Sequence, residues 1–148
     1  MCHVLDFRPG YDRLPLTLDA VDILLSKLQI VELNEKDARD IFQLLSGLPV
    51  QARGGAAGAP FLDSNRFGQQ LAGDWGWWRT VTGNLDKLPG LAADSPHLVP
   101  AAARHDPFAQ ARHLAELAHS VPKGMKWKLR ANVGDRVRWY ELPEEVGH

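Results

Sequence analysis

Four charged residues stand near the start of the chain: Lys27, Lys36, Asp37 and Asp40. A lysine ammonium is a compact point charge that suits a phosphate. An aspartate beside it can hold that lysine in place or touch a metal ion. On a helix, Asp37 and Asp40 are i, i+3 neighbours and Lys36 and Asp40 are i, i+4 neighbours, so they lie side by side. The same residues also fit a plainer role, with Asp37 at a helix start, Lys36 and Asp40 as a surface pair, and Lys27 in water.

A second constellation lies in the tail. Lys123, Lys126, Lys128, Arg130, Arg136 and Arg138 outnumber Asp135, and Trp127, Trp139 and Tyr140 interleave with them. Basic and aromatic groups together can follow a phosphate backbone and stack bases. They can equally pack as rings under the stems of basic side chains. Trp75, Trp77 and Trp78 form a third cluster. It suits a binding surface or a helix core with one exposed ring, and Gly76 allows close approach of a neighbour. His105, His113 and His119, with Cys2 and His3, lack the tight spacing of zinc ligands. No nucleophile elbow, dinucleotide fingerprint or phosphate loop is present.

The elements that must position these groups are mostly helices. Val21, Leu24, Leu25, Leu28 and Val31 make one apolar stripe, with Thr17 as its cap. Asn34 restarts the pattern, and Asn34 with Asp37 is a variant capping box. Ala38, Ile41, Phe42 and Leu45 form the second stripe, stopped by Gly47 and Pro49. Asp63 caps a short helix carrying Phe67 and Leu71. Asp74 caps another, with Trp78, Val81, Leu85 and Leu88, which Pro89-Gly90 is expected to end. Residues 91–105 read as loop. Asp106-Pro107 starts a helix with Leu114, Leu117, Ala118 and Val121.

Two segments are less regular. Residues 2–7 alternate like a strand, and a lone strand needs a partner, which suggests self-association through its edge. From Trp127 onward, alternation with lysines and arginines fits a hairpin. Leu129, Val133, Val137 and Tyr140 also fit helical spacing. The absence of another partner strand favours a helix entering an irregular tail.

The chain has 148 residues, 45% hydrophobic and 24% charged, with a net charge of −1. Those values suit a single soluble domain and exclude a global pull toward nucleic acid. The expected organisation is 1–50, a flexible Gly/Ala connector at 51–60, and 61–148. One cysteine excludes an internal disulfide and points to a reducing, cytoplasmic setting. No apolar run reaches membrane-span length, and the first residues lack the pattern of a signal peptide.

Leu24-Leu25-Ser26-Lys27-Leu28-Gln29 followed by Glu35-Lys36-Asp37-Ala38-Arg39-Asp40-Ile41 resembles a segment of nucleotidyltransferase-like proteins related to AbiEii toxins. With Leu28–Asp37 and the ending Trp139-Tyr140-Glu141-Leu142-Pro143-Glu144-Glu145, it resembles more closely an uncharacterised bacterial nucleotidyltransferase-like group. The resemblance covers the start, the helical pair, Asp74-Trp75-Gly76 and the tail, but not the connector. It implies that Lys27 and Lys36 steady a nucleoside triphosphate, and that Asp37 and Asp40 position those lysines or Mg²⁺. In an intact member a hydroxyl would attack the α-phosphate.

The chain departs from that pattern in lacking a Gly-Ser followed by Asp-x-Asp or Asp-x-Glu, the carboxylates that hold Mg²⁺. Ser46-Gly47 is reversed and sits at a helix end. In the family those pieces would precede Met1. The expectation is therefore a mainly α (α+β) fold: a helical bundle with one N-terminal strand and a possible C-terminal hairpin. It would resemble the C-terminal part of a nucleotidyltransferase, bind nucleotide at most, and be inactive alone. Its partners would be a missing N-terminal half, another copy, or RNA at Lys126, Lys128, Arg130, Arg136 and Arg138. The alternative is a non-catalytic module in which the helical pair and the tryptophan helix bury against a partner protein.

Overall fold

A computed structural model describes residues 19–52 and 58–140. Six α-helices dominate the described residues: α1 (Ala20–Leu28), α2 (Glu35–Gly47), α3 (Ser64–Gly73), α4 (Trp75–Asp94), α5 (Pro107–Ser120) and α6 (Met125–Val133). Two short strands, β1 (Val50–Gln51) and β2 (Leu62–Asp63), pair in parallel with Val50 opposite Leu62. The mainly helical class agrees with the sequence patterning. The expected strand at 2–7 and part of the connector lie outside the described residues, and the cap expected at Thr17 is corrected to Asp19, because α1 begins only at Ala20.

Five of the six helices start where the side chain of a cap residue satisfies N–H groups that have no partner within the helix, and α6 starts at Gly124 without one. Asp19 accepts from the Val21 N–H, so α1 is capped at Asp19. Asn34 accepts from the Asp37 N–H at 2.8 Å. Asp63, Asp74 and Asp106 do the same for α3, α4 and α5. The reciprocal half of the Asn34 box is not used, because the Asp37 carboxylate turns to Lys27.

The apolar stripes meet in one core. Val21, Leu24, Leu25 and Leu28 of α1 face Ala38, Ile41, Phe42 and Leu45 of α2, with Phe67, Leu71, Trp77, Val81, Leu85 and Leu114 completing it. Helix α4 packs against α1, α3, α5 and α6, so it is the central strut. Because the helical pair and the tryptophan helix bury against each other, those faces are not open to a partner. Among the described residues no helix is long and apolar enough to cross a membrane.

The structure corrects several expectations. Helix α1 ends at Leu28, and Val31 lies beyond it, half-buried. Helix α4 runs through Pro89 to Asp94. Proline removes one N–H and strains the preceding turn, but Leu88, Leu91 and Ala92 pack on the core and hold the last turns. Gln51 belongs to β1, which trims the connector. None of the three clustered tryptophans is exposed: Trp75 and Trp77 are buried and Trp78 is half-buried.

The hairpin does not form either. Met125–Val133 is helical and stops at Gly134, whose φ of 59° with ψ of −143° is a positive-φ conformation that glycine adopts without a Cβ penalty. A short 3₁₀ turn, Gly134–Arg136, leads into an irregular end. Helix followed by irregular tail is thus the observed form.

Candidate functional site

Lys27 closes the corner between α1 and α2. Its Nζ lies 3.1 Å from Asp37 Oδ1 and 3.0 Å from Asp40 Oδ2. Asp37 is buried, while Lys27 and Asp40 are half-exposed. The hydrogen bond to Asp40, and then that to Asp37, raises the Lys27 pKa above its ordinary value of 10.5, against the opposing effect of desolvation. Lys36, exposed one residue before Asp37, stands outside this triad. The structure therefore brings together three of the four carried-over residues.

The position between the two carboxylates is filled by the lysine ammonium, so a metal there would have to replace Lys27. Among the described residues no group of three or more His, Cys, Asp or Glu is arranged to hold a metal ion. As it stands the triad is a clasp between two helices. A raised lysine pKa stabilises the fold below the unfolded value, and that contribution is lost as pH rises through the folded value. Lys27→Met is expected to cost about 0.5–1 kcal/mol at neutral pH. The gap from the parent chain should close as pH climbs past 10.5. Urea titration across that range checks this, and a gap independent of pH would rule out the clasp.

The tail constellation is built differently. The Arg130 guanidinium lies over the Trp75 ring at 4.6 Å and donates to the Gly134 and Val137 carbonyls at 2.9 and 2.7 Å. Arg136 turns back onto the Val133 and Asn132 carbonyls. Arg138 covers Tyr140. Arg79 grips both oxygens of Asp135 and also lies over Trp139. Trp139 donates to Thr80 Oγ1 at 2.9 Å and meets Trp75 edge to face. Gly76 lies against this ring: a Cβ there would sit 3.4 Å from Trp139 Cδ1 and from its carbonyl oxygen, at the limit of ordinary contact, and a tighter 3.2 Å from Asp74 Oδ1.

At the other end of α6, Trp127 meets Trp78 edge to face. Lys123 lies over Trp127 and donates to the His119 and Val121 carbonyls. Desolvation lowers its pKa. Trp127, Arg130 and Trp139, with Arg79 from α4, thus fasten α6 and the tail to α4, while Arg136 folds back onto the end of α6. A cleft of about 230 Å³ remains between Asp74, Trp75, Gly76, Lys126, Trp127, Arg130 and Trp139. A second, of about 380 Å³, lies by Gln43, Ser46 and Arg104. Neither is lined by Lys27, Lys36, Asp37 or Asp40.

Comparison with protein-family models, curated proteins and solved structures finds no match.

What the fastened tail leaves outside is the opposite face of α6. Met125 is 78% exposed, Leu129 64%, Val133 37%, and Val137 beyond the helix 57%. Met125, Leu129 and Val133 are successive i, i+4 positions and form one row. Lys126 and Lys128 are exposed beside it. The spacing of Leu129, Val133 and Val137 was visible in the sequence, but its outward direction was not. Trp127 and Ala131 take the inner side of α6.

Proposed function

We propose that this chain is a non-catalytic helical interaction module that docks a partner protein on the outward face of α6. The observation that carries the reading is the row of exposed apolar side chains at 125, 129 and 133, with Val137 exposed beyond the helix. Leaving large apolar groups in water forfeits about 1.5–3 kcal/mol each. An exposed apolar patch rimmed by charge is a common form of protein-binding surface. The fastening of α6 through Arg130, Trp139 and Trp127 supports the reading, because it holds the row rigid before any partner arrives. A cytoplasmic setting belongs to this reading, as the single cysteine fits a reducing compartment.

A photo-crosslinking residue at position 129 is expected to trap a discrete protein in the source cells. The same residue at Asp86, exposed on α4, is expected to trap none. An absence of adducts at 129 would overturn the docking reading.

The meeting of Lys27, Asp37 and Asp40 favours a second reading. In it the chain is the C-terminal part of a nucleotidyltransferase-like protein and retains nucleotide binding there. Lys27 and Lys36 would steady the triphosphate, and the carboxylates would position the lysines or Mg²⁺. Calorimetry with Mg²⁺ and a nucleoside triphosphate tests it: heat that disappears in Lys27→Ala supports it, and no heat removes it.

A further inference from the structure

Resting on the docking reading, we infer that the partner element is an acidic amphipathic helix laid along Met125, Leu129 and Val133. The row runs about 12 Å along α6 at the rise of a helix, which matches two turns of a second helix packed ridge into groove. At about 100° per residue, Lys126 and Lys128 fall on opposite sides of Leu129. Both are exposed. Helix α6 carries no acidic residue at all, and the nearby Asp135 is already held by Arg79. Among the described residues the stripe therefore has a cation on each flank and no anion on its own helix to offset them. A helix with carboxylates on both sides of an apolar row complements that arrangement. Lys126 also borders the Trp75–Trp139 cleft, which gives one such carboxylate room beside the ammonium.

The other occupants fit less well. A second copy docked face to face would set lysine against lysine across a buried row. Interfacial membrane helices carry aromatic rings on the apolar face, but here Trp127 and Trp139 turn inward. A nucleic acid would find Arg130 and Arg136 already bonded to carbonyls and four aliphatic side chains left in water.

The test uses the full chain and three synthetic helical peptides sharing one leucine row. Their flanks carry glutamate, glutamine or lysine, and fluorescence anisotropy reads binding. The glutamate peptide is expected to bind at least about tenfold more tightly than the glutamine one, and more weakly as salt rises. Leu129→Glu should abolish binding. The double variant Lys126→Glu with Lys128→Glu should reverse the preference toward the lysine peptide. All three positions are exposed, so the variants are expected to keep the parent circular dichroism spectrum. Equal affinity for the glutamate and glutamine peptides overturns the acidic partner and leaves docking standing. Failure of all three peptides overturns it too, and the crosslink at 129 then decides docking separately. Tighter Leu129-dependent binding to single-stranded RNA, or to phosphatidylserine vesicles, would likewise sink it.

Discussion

Asn84→Ala is expected to lower the unfolding free energy by about 2–4 kcal/mol. Asn84 sits in the middle of α4, 2% exposed. Its Nδ2 donates to the Leu28 carbonyl at 2.8 Å and to the Ile30 carbonyl at 2.7 Å. Those oxygens belong to the end of α1 and the residues just after it, where a helix leaves carbonyls without internal partners. One side chain thus closes the end of one helix from the centre of another. Alanine removes both donors and leaves the oxygens without an equivalent partner.

The effect should exceed that of losing one exposed hydrogen bond, because buried unpaired groups bear the full cost of desolvation. Asn84→Asp should be at least as damaging, since it points carboxylate oxygens at carbonyl oxygens. Urea denaturation checks the expectation, with Asp86→Ala, exposed two residues on, as the neutral control. A loss below about 0.5 kcal/mol would mean that the two carbonyls find other partners at little cost.

The second large effect is in the core. Phe42→Ala is expected to cost about 3–5 kcal/mol. Phe42 is fully buried on α2 and meets Phe108 of α5 edge to face, with centroids 5.8 Å apart. The contact ties the first helical pair to the later helices, so the substitution opens a cavity at the joint and strips Phe108 of its partner. Against a typical total stability of about 5–15 kcal/mol, that loss is large. The melting temperature should fall by about 10 °C. Phe42→Leu should lose less than half as much, because it refills most of the volume. Equal losses for leucine and alanine would show that ring geometry, not filled volume, dominates at this position.

Gln110 repeats the logic of Asn84. Its amide donates to the Leu45 and Leu48 carbonyls and its Oε1 accepts from the Val50 N–H. It closes α2 and anchors β1 from α5. Neither residue announces this in the sequence. A polar residue on a helix can face water or a distant carbonyl equally well, and the deciding partners are more than fifty positions away.

What local chemistry dictates was legible. The caps at Asn34, Asp63, Asp74 and Asp106 and the stripes of α1, α2, α3 and α5 rest on short-range hydrogen bonds and a 3.6-residue period. The pairing of Lys27 with the acids of α2 was readable as a possibility, because a tight corner brings the end of one helix to the start of the next. That Lys27 would spend its charge on both carboxylates depended on how the corner closes. The passage of α4 through Pro89 needed the core beneath Leu88, Leu91 and Ala92 to outweigh one lost bond.

The tail draws the line most clearly. The residues of α6 carry a helical apolar spacing and a surplus of positive charge, and both follow from the amino acids alone. Which side of that helix meets the protein does not. Trp127 and Arg130 reach Trp78 and Trp75 on α4, and Arg79 and Thr80 draw in the segment beyond. Those long-range contacts turn Met125, Leu129 and Val133 to the outside. Periodicity sets which residues share a face, whereas the rotation of that face is set by whichever side finds more partners when the helix lands.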